Sequence, residues 1–354
     1  MRSRRKIQHI QHVLQGILQE ADFSGIRILH NCIPGTSGDA DLRCEVAGFS
    51  LALPFFFNAL TGGAPETGEI NRQLARICRH FKIPMAVGSQ KAALEDFKLA
   101  KTYRVAREAY PGGLIFANLS AGCTLDEARQ AVEMLEADAL QLHLNAPQEV
   151  MMPEGDRDFE AWLDNIQTIA SRLEVPVMVK ETGFGMAAEQ VEILASTGIR
   201  AVDVSGKGGT NFIAVEAARA GRDAGELAGW GIPTPLALLE ALEGAGALDV
   251  MVSGGVNTPL SMIKSLALGA RAVGLAALPL RLVLTEGPDR AVAALEEITA
   301  DLRRCMTLLG AARVPDLRKV PLVILGETGE WMRARGFQPE KYARRDFRQL
   351  SCKG

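Results

Sequence analysis

The sequence has little of what would mark several specialised classes of protein. Its 354 residues carry a formal net charge of only −3, so it lacks the basic field that binds nucleic acid or an anionic membrane. It has no run of 18 apolar residues, and its start, MRSRRKIQHIQHVLQ, lacks the apolar core of a signal peptide. We therefore expect a cytoplasmic protein without nucleic-acid or membrane partners, although the early arginines leave an organelle transit peptide open.

The cysteines also lack a recognisable pattern. No CxxC pair occurs, and the six thiols are unevenly scattered, which argues against a disulfide framework or a zinc site. They are Cys32, Cys44, Cys78, Cys123, Cys305 and Cys352. No linker, repeat or low-complexity tract suggests a second domain, and 47% hydrophobic residues are ordinary for a soluble globular chain.

Short apolar runs alternate with helical stretches along most of the chain. The runs are LPFFFNAL (53–60), PMAVG (84–88), LIFANLS (114–120), ALQLHL (139–144), VPVMVKE (175–181), AVDVSG (201–206), DVMVSGG (249–255) and AVGLAA (272–277). Apolar residues recur every three or four positions in 124–137, 158–173 and 186–198, as amphipathic helices require. Eight strand–helix units predict an α/β fold, a (β/α)8 TIM barrel. An open doubly wound sheet is the competing architecture.

Polar and glycine residues follow nearly every predicted strand. They are Asn58 to Gly63, Gly88 to Lys91, Asn118, His143 to Glu149, Lys180, Ser205 to Thr210, Gly254 with Gly255, and Ala276. An open sheet usually places one glycine-rich fingerprint after its first strand. A barrel instead gathers all eight strand ends around one mouth. This distribution predicts an enzyme with its site there.

Two glycine-rich segments late in the chain are candidates for binding an anion. SGGVNTP (253–259) and GLAA (274–277) follow the last two strands, where barrels recurrently bind phosphate. SGKGGTNF (205–212) lacks P-loop spacing, and Thr210 and Asn211 are candidates to cap the next helix. Both segments are alternatively read as flexible turns.

The stretch HLNAPQE, from His143 to Glu149, places polar groups directly after a strand. A single carboxylate, Glu149, suits Mg²⁺, while His143 and Asn145 are suited to donate to a phosphate or, for the histidine, to exchange protons. The alternatives are a core histidine and a solvated loop acid. Lys180, at another strand end, either is solvated or neutralises an anionic group.

In order and over most of the chain, these segments resemble the FMN-dependent type 2 isopentenyl-diphosphate isomerases. HLNxxQE followed by PEGDRDF is specific to that family among flavin barrels. The matching pieces are RKIQH (5–9), PFFFNALTGG (54–63), AVGSQK (86–91), ANLSA (117–121), LQLHLNAPQEVMMPEGDRDF (140–159), VMVKETGFGM (177–186), DVSGKGGTNF (203–212) and SGG (253–255).

The resemblance implies roles for individual residues. FMN would be held by Thr61, Gly62, Ser89, Asn118, Lys180, Ser205, Thr210, Gly254, Gly255, Ala276 and Ala277. Substrate would be surrounded by Arg5, Lys6, His9, Ser89, Gln90, Lys91, His143, Asn145 and Gln148. Glu149 would bind Mg²⁺, and the catalytic residues would be Lys180, His143 and Gln148. The implied domains are an N-terminal arm and cap (1–50), the FMN-binding barrel (51–310) and a C-terminal extension (311–354).

The implied activity is the interconversion of isopentenyl and dimethylallyl diphosphate in isoprenoid biosynthesis. Reduced FMN would act as acid and base after reduction by NAD(P)H, with Mg²⁺ on the diphosphate and Lys180 stabilising the anionic side of the ring. The family also implies a cytoplasmic homo-oligomer, a tetramer or larger.

Two positions depart from the family's usual sequence. Lys91 and Asn257 stand where arginine is common, and arginine's planar fork matches phosphate better. We therefore expect weaker flavin or substrate binding. One alternative function is an FMN-dependent 2-hydroxy-acid oxidase or dehydrogenase, but that chemistry needs a late histidine and none follows His143. The other is a non-catalytic protein that binds flavin or an isoprenoid diphosphate.

Overall fold

The computed structural model describes residues 6–8, 10–11, 14, 19–35, 38–59 and 61–351. Three short strands come first, β1 (Ile26–Ile28), β2 (Cys44–Val46) and β3 (Phe49–Leu51). The next eight are β4 (Phe55–Phe57), β5 (Met85–Ala86), β6 (Ile115–Ser120), β7 (Ala139–Leu144), β8 (Val177–Glu181), β9 (Ala201–Asp203), β10 (Asp249–Val252) and β11 (Ala272–Leu275). These eight strands are parallel and close into a barrel, which confirms the predicted (β/α)8 fold.

Each barrel strand lies within one of the eight apolar runs of the sequence. The runs are nearly continuous because a strand in a parallel barrel is covered on both faces. Phe55, Phe56 and Phe57 of β4 are all buried. The barrel closes where β4 pairs with β11, with Phe55 opposite Val273.

Helices surround the barrel in the described part of the chain. Between the strands lie α1 (Thr67–Phe81), α2 (Lys91–Glu95), α3 (Lys101–Ala109), α4 (Leu125–Leu135), α5 (Ala146–Met151), α6 (Trp162–Arg172), α7 (Ala188–Ala195), α8 (Phe212–Arg219), α9 (Thr234–Gly244) and α10 (Pro259–Leu268). After β11 come α11 (Ala277–Glu286), α12 (Pro288–Leu309), α13 (Gly326–Ala334), α14 (Glu340–Ala343) and α15 (Arg348–Ser351). Searched over the described residues, none of these helices has the length and apolarity to cross a membrane.

Three helix starts follow from local side-chain chemistry. At α4, Thr124 Oγ1 accepts the Glu127 N–H and Glu127 Oε2 accepts the Thr124 N–H, which together form a capping box. Asn211 caps α8 by accepting the Ala214 N–H at 3.1 Å. Thr258 caps α10, with proline in the first turn.

The remaining strand, β12 (Leu322–Ile324), lies outside the barrel. It pairs antiparallel with β1, so that Ile26 is opposite Ile324 and segments before and after the barrel are joined. α13 follows β12 and packs against α9. The division into domains at residues 50 and 310 stays a prediction.

Candidate active site

A cavity of about 730 Å³ lies at the carboxyl ends of the barrel strands. Every barrel strand, or the loop that follows it, contributes to the lining. These residues include Asn58 after β4, Ser89 after β5, Asn118 in β6, His143 in β7, Lys180 in β8, Ser205 after β9, Ser253 after β10 and Ala276 after β11. The polar strand ends therefore converge, as the sequence pattern indicated.

All but one of the residues predicted to hold FMN line this cavity. The exception is Gly62, which packs against the ring of Tyr103 instead. A Cβ at Gly62, whose φ is +144°, would lie 2.1 Å from a carbon of that ring. Tyr103 in turn donates from its hydroxyl to the Ser89 carbonyl at 2.6 Å. Gly62 thus shapes the wall behind Ser89 rather than lining the cavity.

The glycine-rich loops after β9 and β10 pack directly on each other at one side of the cavity. Gly254 and Gly255 have φ values of +95° and +82°. A Cβ at Gly254 would lie 2.2 Å from the Gly206 carbonyl oxygen, and one at Gly255 would lie 1.9 Å from that of Gly208. Only glycine allows this approach, so these residues do more than turn the chain.

Lys180 lies at the floor of the cavity and is 7% exposed, which excludes a solvated strand-end lysine. Its Nζ donates to the Glu181 carbonyl at 2.6 Å. Burial lowers the pKa of Lys180, and the carboxylates of Asp203 and Glu181 oppose that shift. The result is a nearly buried amine in the lining of the cavity.

The neighbouring carboxyl group of Glu181 has a different task. It accepts the backbone N–H groups of Phe184 and Gly185 at 2.5 and 3.0 Å, and so holds the loop after β8. Burial raises the pKa of Glu181 to about 7, although these hydrogen bonds and Lys180 favour the ionised form.

The predicted substrate and metal residues after β7 lie together at the rim. His143, Asn145, Gln148 and Glu149 all line the cavity, since α5 begins at Ala146 and turns the last two back toward the first. Asn145 Nδ2 donates to Glu149 Oε1 at 2.8 Å. The Asp156 N–H donates to Glu149 Oε2 at 3.1 Å, so the carboxylate is held in place from two sides.

Glu216 is a candidate site residue that sequence reasoning missed. It lies on α8 and is 1% exposed, and its Oε1 accepts from Gln148 Nε2 at 2.8 Å. Arg219 also pairs with Glu216 and, at 3.1 Å, with Glu154 of the loop after α5. The signal was available: a glutamate inside the apolar helix pattern NFIAVEAAR, one turn before an arginine.

Three predicted substrate residues are not placed in the cavity. Gln90 is fully buried and points away from it, donating to the Ala131 carbonyl at 2.8 Å. It also accepts the Asn118 N–H at 3.0 Å, so it supports the wall and does not line the cavity. Arg5 and His9 lie outside the described residues, whereas Lys6 between them lines the cavity.

The two residues that replace the family's arginines are both engaged. Lys91 lines the cavity and forms an ion pair with Glu127, the capping glutamate of α4. Asn257 also lines the cavity, and its Nδ2 donates to the Gln19 carbonyl at 3.0 Å. Asn257 therefore connects the segment before β1 to the glycine-rich loop after β10.

Two buried polar atoms of cavity residues lack a hydrogen-bond partner within the described chain. They are Thr61 Oγ1 and Asn145 Oδ1. Buried polar atoms are nearly always satisfied, so an orphan at a cavity wall fits a site that is completed by a ligand. Together with Lys180 and the glycine loops, Thr61 forms a set of polar groups that fits FMN. The described residues contain no group of three His, Cys, Asp or Glu arranged to hold a metal ion.

Comparison with known proteins agrees with this geometry. Residues 116–323 match the family model described as FMN-dependent dehydrogenase. The isopentenyl-diphosphate delta-isomerase of Geobacillus sp. (strain WCH70) is 44% identical over 97% of this chain and 99% of its own length. That of Moorella thermoacetica is 41% identical over 94% and 97%. This chain belongs to the isopentenyl-diphosphate delta-isomerase family.

Membership confirms the resemblance read from the sequence and makes the chain an isomerase of an FMN-dependent enzyme family. Solved structures show a wider likeness. A mandelate oxidase variant with 4-Br-2-hydroxy-methylphenylacetate has a TM-score of 0.63 at 16% identity, covering 92% of this chain and 99% of that one. A flavocytochrome b2 variant with benzoylformate also has 0.63, at 19% identity, covering 89% and 85%. These identities show a common fold alone, so they lend the hydroxy-acid alternative no support.

Proposed function

We propose that this isomerase interconverts isopentenyl diphosphate and dimethylallyl diphosphate in isoprenoid biosynthesis, with FMN and Mg²⁺ bound at the mouth of the barrel. The observation that carries the proposal is one cavity lined both by Lys180 with the glycine loops and by the segment from His143 to Glu149. The first set suits a flavin phosphate and ring, and the second suits a metal-bound diphosphate.

The flavin half of the site would use Thr61, Lys180, Gly254, Gly255 and the start of α11. FMN bound there and reduced by NAD(P)H would supply the acid and base for moving a double bond without net redox change. The Lys180 amine is nearly buried in the cavity wall, where a charge would stabilise an anionic ring far better than in water. Thr61 Oγ1 would gain its missing partner.

The diphosphate half would use Lys6, Lys91, His143 and Asn145, with Glu149 on Mg²⁺. Magnesium ordinarily takes one or two carboxylates and completes its octahedron with water and phosphate oxygens. One carboxylate held by Asn145 and Asp156 suits that pattern. Gln148, held by Glu216, would present its amide to the substrate between the two halves.

The test is anaerobic conversion of isopentenyl diphosphate by purified protein with FMN, Mg²⁺ and NADPH, repeated with each component omitted. We expect dimethylallyl diphosphate only in the complete mixture. Folded, flavin-loaded protein that forms no product would contradict the substrate assignment. A product formed without flavin or reductant would contradict the cofactor assignment.

A matched pair of variants tests the metal site. Glu149→Gln keeps the shape of the side chain and removes its charge, so the Mg²⁺ concentration for half-maximal rate should rise by roughly tenfold or more. Glu160→Gln, an exposed acid of the same loop region, should leave it unchanged. Equal Mg²⁺ dependence in both variants would remove Glu149 from the metal site.

The family resemblance also supports a cytoplasmic homo-oligomer, a tetramer or larger. Light scattering on the eluting protein would measure the assembly directly, and a monomeric mass would contradict it. Initial rates of flavin reduction with NADH and NADPH would decide the preferred donor.

A further inference from the structure

A chain of buried amide side chains crosses the barrel at the wall of the cavity, which Asn58 and Asn118 line. His143 Nδ1 lies 3.0 Å from Asn118 Oδ1, and Asn118 Nδ2 lies 3.4 Å from Gln141 Oε1. Gln141 Nε2 lies 3.2 Å from Asn58 Oδ1, and Asn58 Nδ2 lies 2.5 Å from Asp203 Oδ2. We call Asn58, Gln141 and Asn118 the amide relay. All three residues and Asp203 are at most 2% exposed.

The direction of the relay is fixed at the Asp203 end. An ionised carboxylate can only accept hydrogen bonds, so Asn58 must turn its NH₂ group toward Asp203. The backbone N–H of Ala59, which can only donate, lies 2.9 Å from Asn58 Oδ1 and requires the same orientation. Two independent groups therefore set the first amide of the relay.

Each later member then has one orientation that avoids a clash of like groups. Asn58 Oδ1 needs a donor, so Gln141 presents its NH₂ group to it and its oxygen to the next amide. Asn118 presents its NH₂ group to Gln141 and its oxygen to the ring of His143. An oxygen can face only a protonated ring nitrogen, so Nδ1 of His143 must carry a proton.

We infer that Asp203 fixes the proton of His143 on Nδ1 by acting through the amide relay, and is thereby a positioning residue for the active site. Asp203 is connected to the ring by four successive hydrogen bonds. Reversing the relay would place the oxygen of Asn58 against the carboxylate. That contact between two oxygens has no hydrogen bond, and buried networks of this kind depend on every member.

The inferred tautomer deepens the role proposed for His143 and, in that respect, rests on the proposed function. In the neutral ring Nε2 is then the unprotonated nitrogen and can only accept a hydrogen bond. Donation from Nε2 to a diphosphate oxygen would require the charged imidazolium ring. The relay therefore decides which form of His143 binds an anionic substrate.

The test is solid-state ¹⁵N NMR on full-length, flavin-bound protein labelled only in its five histidines. His143→Gln identifies the signal that belongs to His143. In the wild-type protein at a pH where the ring is neutral, we expect the proton on Nδ1. A proton on Nε2 would overturn the inference at once.

Asp203→Asn is the decisive variant. The Ser205 N–H donates to Oδ1 of Asp203 at 3.2 Å and would hold the oxygen of an asparagine, which turns the new NH₂ group toward that of Asn58. The Ala59 N–H still favours the original orientation of Asn58, so the two directions of the relay compete and the Nε2–H form of His143 should appear beside the Nδ1–H form. An unchanged His143 signal in the folded variant would overturn the inference.

A control variant and a second relay variant distinguish an effect on the relay from a loss of folding or a local disturbance of the site. Ser253→Ala removes the hydroxyl that donates to Asp203 at 2.8 and 2.9 Å but leaves an acceptor-only carboxylate, so the tautomer should not change. If Asp203→Asn does not fold, Gln141→Leu severs the relay in its middle and should yield both tautomers. A single Nδ1–H form there would overturn the inference. The spectra are recorded without substrate, so they stand whether or not the proposed isomerisation is found.

Discussion

The mouth of the barrel buries Lys180 and Glu181, and the seam that docks the C-terminal segment buries Glu240, but the partners of these charged groups differ. We define the seam by Glu240 of α9, Glu189 of α7, and Trp331 and Arg335 of the α13 region. Glu240 accepts from Trp331 Nε1 at 2.7 Å, from Arg335 Nε at 2.9 Å and from the Ala188 N–H at 3.0 Å. The carboxylate of Glu240 is therefore surrounded by hydrogen-bond donors, one of which is a cation.

At the mouth, a similar degree of burial disfavours the charged forms of two side chains and leaves two polar atoms without a partner in the described chain. Burial lowers the pKa of Lys180 and raises the pKa of Glu181, each against its charged form. Thr61 Oγ1 and Asn145 Oδ1 are buried without a partner in the described chain. The difference fits a seam that stabilises the fold and a mouth that serves as a ligand site.

Lys180→Met should separate the role of the mouth from that of the seam most clearly. The turnover of isopentenyl diphosphate should fall by roughly 10²–10³-fold, because one electrostatic stabiliser of the reacting anion is lost. The thermal midpoint should stay equal or rise, since a poorly solvated buried charge has been replaced by a side chain of similar volume.

Lys207→Met is the matched control for that variant. Lys207 lies in the loop after β9 and donates to the Gly229 carbonyl at 2.8 Å. We expect its activity to stay within about twofold of the wild type, because Lys207 is not among the residues that line the cavity. If Lys180→Met lost stability and kept its activity, Lys180 would belong with the seam and the comparison would fail.

A second test uses the pH dependence of stability at Glu181. Burial raises the pKa of this carboxyl from 4.5 to about 7, so the folded protein retains a proton that the unfolded chain releases. The free energy of unfolding should therefore fall as pH rises from about 4.5 to about 7, by about 3 kcal/mol at most.

Glu181→Gln should flatten that fall, because an amide does not ionise. Urea unfolding of both proteins at pH 5 and pH 8 measures the difference, and Glu192→Gln, an exposed acid on α7, is the control. Parallel losses of stability in Glu181→Gln and the wild type would show that another group titrates in this window.

The barrel could be predicted because its strands are buried on both faces and so leave continuous apolar runs. The mouth could be predicted because a barrel brings every strand end to one place. The direction in which each side chain points was harder to predict. Gln90 follows Ser89 after a strand, yet its side chain supports the cavity wall from behind. Nothing local distinguishes the two orientations at the end of so short a strand.

The partners that cross the barrel could not be read from the sequence. Gln148 meets Glu216 from 68 positions away, and Asn58 meets Asp203 from 145 positions away. Asp203 belongs to the apolar strand β9. The sequence shows that a polar residue lies there, but not which groups form hydrogen bonds with it. Such pairings are decided by the closure of the barrel, which local pattern does not encode.

The smallest effect is expected at the seam itself, with Glu240→Ala. Trp331 Nε1 and the Ala188 N–H would lose their acceptor, and the free energy of unfolding should fall by about 1–2 kcal/mol because both groups are only half-buried. Urea unfolding measures this loss, and turnover should not change. A fall in turnover would instead show that the seam affects the active site. Thr234, at the other end of α9, donates to the Gly254 carbonyl at 2.6 Å, so that helix would then couple the seam to the mouth.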